Sequence, residues 1–213
     1  MQPEPGVFSG MLFSVIRVIS ASLIGSATVA NLRRDMSRYE IRIAGLGGQG
    51  IVLLGVILAK AIAGNEKLHV VQTQSYGPES RGGAVRADLV ISDEPIDYPK
   101  VRKADVLVAM SQPALEAYLK DLKARGILVI DPDLVTLNTA RSDFTVKKVV
   151  ATKKAALLGK AILANMIMLG ALLNIINIAS KQAAISALSE SIPKNTLQEN
   201  VKAVEAGLEI RGS

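Results

Sequence analysis

The chain has 213 residues and a formal net charge of +6, from 25 Lys and Arg against 19 Asp and Glu; it is 49% hydrophobic but only 3% aromatic. It contains no Cys, no Trp and one His. A disulfide framework, a thiolate nucleophile and an iron–sulfur cluster held by its own thiolates are therefore excluded, and a His-rich metal site or a Ser-His-Asp triad is strongly disfavoured.

The length suits one domain of ordinary size, with or without an appendage. The basic balance is spread thinly. Residues 1–39 carry Arg17, Arg33, Arg34 and Arg38 against Glu4 and Asp35, and no basic run exceeds two residues. With so few aromatics for base stacking, nucleic acid is not expected as a partner, whereas a local anion such as a phosphorylated cofactor stays open.

Residues 7–32 are apolar apart from Arg17. The leading MQPEP lacks the positive charge of a signal peptide, and a spanning helix would put Arg17 near mid-bilayer, at about 2.5–3.5 kcal/mol. The first 37 residues are expected to be an extension outside the fold, or a start placed too early, with Met36 the natural beginning; an amphipathic membrane-associated helix and a cleaved signal are the alternatives. The domain is then residues 38–213.

From there strand and helix patterns alternate. Glu40–Ala44 reads as a strand, a glycine cluster follows, and Ile51–Ala63 reads as a helix. His69–Thr73 is a second strand, residues 74–83 a long loop, and Ala84–Ser92 a third strand. Val106–Met110 is a buried strand, Gln112–Lys123 a helix ended at Arg125-Gly126, and Ile127–Asp131 and Thr145–Val150 further strands. Lys154–Ile178 is expected as one long helix, followed by helices at Lys181–Ser191 and Asn195–Ile210. This alternation predicts one α/β domain with a mostly parallel sheet covered on both faces and a helical C-terminal portion.

The stretch Ala161–Ser180 has no charge and is long enough for a membrane span. Asn165, Asn174 and Asn177 would face lipid badly, so a helix buried in the domain or at a subunit interface is preferred. No membrane span is expected, and the location is taken as cytoplasmic.

The first strand runs into Gly45-Leu46-Gly47-Gly48-Gln49-Gly50, a G-x-G-x-x-G sequence placed between strand and helix. Such a turn brings backbone close to a phosphate or another chain, and the amides opening the helix favour an anion. A dinucleotide site also needs an acidic residue at the end of the second strand to hold the ribose. Here that strand ends Gln72-Thr73-Gln74, which argues against NAD or FAD. A stand-alone dinucleotide-binding protein is thus the rival reading of another class.

The following loop, Gln72–Gly83 (QTQSYGPESRGG), combines a Gly77-Pro78 turn, the flexible Gly82-Gly83 pair, and Glu79 and Arg81, which pair with each other or offer Arg81 to an anion. In a doubly wound sheet this loop and the glycine turn share one rim. His69 is expected to pack or cap rather than act as a base. Asp131 and Asp133 suit either a ligand contact or a turn and helix cap.

GLGGQG, QTQSYGPESRGG, DYPKV (Asp97–Val101), ADVLVAMSQPAL (Ala104–Leu115) and ANMIMLGALL (Ala164–Leu173) occur in an order and spacing that resemble the gamma subunit of 2-oxoacid:ferredoxin oxidoreductases. The 2-oxoglutarate branch, 2-oxoglutarate synthase, is most similar, with the ketoisovalerate and pyruvate branches as alternatives; Ser80 stands where Ala is usual. The resemblance implies a Rossmann-like, doubly wound fold and a subunit of a heterotetramer of anaerobic metabolism with alpha, beta and delta partners. That complex uses thiamine diphosphate, Mg2+, [4Fe-4S] clusters and coenzyme A, and reduces ferredoxin. It further implies that this chain binds no cofactor or metal alone and carries no catalytic residue. Its contact residues would be Gly45, Gly47, Gly48, Gln49 and Gly50, and Gly77, Glu79, Arg81, Gly82 and Gly83, facing coenzyme A or an adjoining subunit.

Overall fold

The computed structural model describes residues 16–17, 37–65, 67–76 and 84–210. Its strands are β1 (Ile16–Arg17), β2 (Tyr39–Leu46), β3 (His69–Tyr76), β4 (Ala84–Ser92), β5 (Ala104–Ala109), β6 (Leu122–Ile130) and β7 (Thr145–Lys148). They form one sheet in the order β1-β3-β4-β2-β5-β6-β7. The helices are α1 (Ile51–Ala63), α2 (Gln112–Tyr118), α3 (Ala151–Leu157), α4 (Ala164–Ile176), α5 (Lys181–Ser189) and α6 (Lys194–Leu208).

The α/β class and the helical C-terminal portion are as expected, but the sheet is more mixed than the alternation suggests. β2 pairs in parallel with β5, β5 with β6 and β6 with β7, whereas β4 lies antiparallel between β2 and β3. β3 therefore runs in the same direction as β2, as a helical crossover through α1 requires, and β4 is inserted between them. Five of the seven strands point one way. In the segment expected to lie outside the fold, Ile16–Arg17 pairs antiparallel with Gln72 and Val71; the rest of the apolar stretch 7–32 lies outside the described residues.

One sheet face carries most of the core. Ile41, Ile43, Leu89, Ile91, Val106, Val108 and Val129 pack beneath Leu54, Leu58, Ile167 and Leu172, drawn from α1 and α4. The other face is covered more thinly: Leu107, Leu128 and Ile130 meet Leu115 of α2 and Val135. Over β2 and β4 that second face is buried yet charged, because the alternation of Glu40-Ile41-Arg42-Ile43 turns Glu40 and Arg42 toward it. Arg42 forks onto both carboxylate oxygens of Asp88, at 2.8 and 3.0 Å, and reaches Asp121 at 3.0 Å and the Val101 carbonyl at 3.0 Å. The Tyr118 ring lies 4.9 Å from its guanidinium. Burial pulls the Arg42 pKa down, but the hydrogen bond and charge of Asp88, with Asp121, outweigh it and leave a net upward shift. Glu40 accepts from Arg38 at 2.6 Å and from the Arg102 and Lys103 amides.

The expected helix over 154–178 is two. α3 ends before Gly159, whose φ of 76° a right-handed helix cannot contain, and a short 3-10 turn at Ala161–Leu163 leads into α4. Within the uncharged stretch α4 is largely buried, as expected, whereas Ala161 and Ile162 ahead of it are exposed; α4 packs on α6 by close backbone approach at Gly170 and Gly207, where a Cβ on either would strike the other helix's backbone. Among the described residues, no helix is long and apolar enough to cross a membrane. Arg125-Gly126 does not end a helix. It falls inside β6, where Arg125 takes φ 62° and the pairing with β5 shifts register between Ala104 and Val106.

Candidate functional site

The glycine turn joins β2 to α1 at the rim where β2, β5 and β6 end. Gly48 and Gly50 take φ values of 91° and 70°, a conformation that a residue with a Cβ rarely adopts. Gln49 locks the turn from within: its Oε1 accepts the Leu46 amide at 2.7 Å, and its Nε2 donates to the Met110 carbonyl, just beyond β5, at 2.8 Å. Gly50 opens α1 with no side-chain cap, and the first turn has no acidic residue. Gly47 and Gly48 are exposed, so the turn offers bare backbone beside the positive end of a 13-residue helix.

Sequence reasoning missed one contributor to this turn. Asn165, buried in the first turn of α4, donates from Nδ2 to the Gly50 carbonyl at 3.4 Å, and a Cβ at Gly50 would run into that amide. A polar residue in an otherwise apolar helix was the available cue, since a buried amide needs a partner.

The second loop stands differently. Gly77, Glu79, Arg81, Gly82 and Gly83 lie outside the described residues. The flanking strand ends are described: Ala84 pairs with Leu46 of the glycine turn, and Tyr76 sits opposite Val85. Both ends therefore leave and enter at the glycine-turn rim, with the start of β4 between the turn and the end of β3.

His69 neither packs nor caps. It is exposed at the start of β3, on the rim opposite the glycine turn, because β3 runs parallel to β2. Asp131 resolves to a cap. Fully buried at the end of β6, it accepts the Thr152 amide at 2.7 Å and the Asp133 amide at 3.1 Å, tying β6 to the first turn of α3. Among the described residues no group of three His, Cys, Asp or Glu side chains could hold a metal ion. With no cysteine in the chain, it has no thiolate ligand for an iron–sulfur cluster.

A model of the pyruvate ferredoxin/flavodoxin oxidoreductase family matches residues 40–210. The chain belongs to this family. Among its relatives, the 2-oxoglutarate synthase subunit KorC of Methanothermobacter marburgensis is 48% identical over 180 residues, which cover 81% of this chain and 96% of the relative. Among solved structures, the gamma subunit of a keto/oxoacid ferredoxin oxidoreductase from Geobacter sulfurreducens superposes with a TM-score of 0.72 at 38% identity, covering 81% of this chain and 95% of that one. The 2-oxoglutarate:ferredoxin oxidoreductase of Magnetococcus marinus, solved with 2-oxoglutarate, coenzyme A and succinyl-CoA bound, matches with a TM-score of 0.74 at 25% identity. There 82% of this chain corresponds to 31% of a longer polypeptide. Within the family, this fold thus occurs both as a separate subunit and as part of a longer chain.

Proposed function

We propose that this chain is the gamma subunit of a cytoplasmic, heteromeric 2-oxoglutarate:ferredoxin oxidoreductase, which converts 2-oxoglutarate, coenzyme A and oxidised ferredoxin to succinyl-CoA, CO2 and reduced ferredoxin. The near full-length match to a 2-oxoglutarate synthase subunit carries the reading. The [4Fe-4S] clusters are assigned to the companion alpha, beta and delta subunits, because this chain has no thiolate to offer a cluster, and thiamine diphosphate and Mg2+ are assigned to those companions as the family resemblance implies.

This chain's own part is binding and positioning. The Gly47–Gly48 backbone, held by Gln49 and Asn165, is a rigid surface with a positive helix end behind it. It suits a phosphate of coenzyme A or the carbonyls of an adjoining subunit. Arg81 and the other residues of the 77–83 loop belong to the same proposed surface. No residue here is assigned to bond making or breaking.

The test is anaerobic co-expression with the companion subunits, followed by ferredoxin reduction with 2-oxoglutarate, 2-ketoisovalerate and pyruvate in parallel. The highest kcat/KM is expected for 2-oxoglutarate; a preference for either other acid would move the protein to that branch. Gly47→Asp separates the two roles of the turn. A raised KM for coenzyme A with kcat unchanged is expected if it meets the cofactor's phosphates. Loss of subunit assembly would instead mark a packing surface.

A further inference from the structure

Helix α1 begins without a capping side chain, because Gly50 has none to offer. Its first bond is from the Leu54 amide to the Gly50 carbonyl, at 3.0 Å, and among the described residues the amides of Ile51, Val52 and Leu53 have no acceptor. A Ser, Thr, Asp or Asn in place of Gly50 would take up one of them. Asn165 fixes the turn from the opposite side instead. Only 5% exposed in the first turn of α4, it donates from Nδ2 to the same Gly50 carbonyl at 3.4 Å. Gly50, with φ 70°, is thus held through its carbonyl and the helix-opening amides are left unspent.

The other half of the Asn165 amide is idle. Its Oδ1 accepts no hydrogen bond among the described residues, and it is not sealed in the core, where Gln72 Oε1 is the one side-chain polar atom left without a partner among those residues. An amide oxygen on so buried a residue calls for a donor. It stands beside a turn whose Gly47 and Gly48 are exposed.

We infer that Asn165 is the positioning residue of the glycine turn: it fixes Gly50 through the carbonyl, so that the 51–53 amides stay free for an anionic oxygen, and it offers Oδ1 to an O–H or N–H next to that anion. The inference rests on the proposed function and names the ligand chemistry of that turn, a phosphate with a hydroxyl or amide beside it; coenzyme A carries both. The positive end of a 13-residue helix favours a full negative charge over the neutral carbonyls of a neighbouring chain.

The experiment uses the assembled complex, with ferredoxin reduction followed at varied coenzyme A and with whichever 2-oxoacid turns over fastest. Asn165→Leu keeps the side-chain volume among the apolar residues of α4 but loses the donor; it should raise KM for coenzyme A at least about tenfold, with kcat and assembly unchanged. Asn165→Asp supplies a pH signature. Its protonated carboxyl still donates to Gly50, whereas the ionised form repels both that carbonyl and the incoming anion. The ratio of its KM to the wild-type KM should therefore start near unity at low pH and climb as the carboxyl ionises, which a residue that only packs α4 would not produce. Hydrogen exchange on the same complexes checks the site directly: coenzyme A should slow exchange of the 51–53 amides in wild type and not in Asn165→Leu.

Equal KM in wild type and Asn165→Leu, or an Asn165→Asp ratio indifferent to pH, overturns the inference and leaves the proposed function standing. So does wild-type exchange at 51–53 that coenzyme A does not slow. Loss of assembly in Asn165→Leu marks a packing residue and overturns it too. Turnover of another 2-oxoacid in place of 2-oxoglutarate moves the proposed function to that branch while the coenzyme A comparison still decides the role of Asn165. A wild-type complex that turns over no 2-oxoacid sinks both.

Discussion

Arg42 and Gln49 occupy the same strand–turn–helix unit and do different work. Arg42 sits in the buried second face of the sheet with Asp88 as its bidentate partner. Replacing it by methionine leaves Asp88 buried with only Arg86, 3.6 Å away, so Arg42→Met should cost about 3–5 kcal/mol, read from the urea midpoint at unchanged m-value. Gln49 joins the glycine turn to the end of β5 through two hydrogen bonds. Gln49→Ala should cost about 1–3 kcal/mol and speed hydrogen exchange at the Leu46 amide. The glycines and Gln49 were legible in the sequence because a motif between strand and helix has a physical meaning. The Asn165 contact was not, because it joins residues 115 positions apart.

At the level of elements, the departures from the sequence reading have local causes. Gly159 splits what apolar periodicity presents as one helix, since hydrophobic content is continuous across a turn that only a backbone angle reveals. The insertion of β4 between β2 and β3 is likewise invisible to alternation, which reports a strand's faces and not its direction. What periodicity did show is the burial of α4. Its contact with α6 depends on Gly170 and Gly207, neither of which stands out in the sequence. Gly207→Ala places a methyl against the backbone at Ile167, an obstacle no rotamer change can relieve. It should destabilise by at least about 1–3 kcal/mol, visible as a lowered thermal midpoint. Asp131 is the other element-level joint. Asp131→Ala removes the acceptor for the Thr152 amide and should cost about 1–2 kcal/mol, with exchange rising first in α3.

The whole molecule explains why a chain from an oxidoreductase family can lack cysteine. Its fold supplies a rim: the glycine turn locked by Gln49 and Asn165, with the ends of the 77–83 loop beside it. On the proposed function, these features shape and complete a site whose redox groups belong to companion subunits. The most direct measurement is ferredoxin reduction by the anaerobically purified companion subunits, supplied with 2-oxoglutarate and coenzyme A, with and without this chain. The account predicts no turnover by the chain alone, little or none by the companions alone, and activity restored by adding the chain in stoichiometric amount. Full turnover without it, or turnover by the chain alone, would contradict the account.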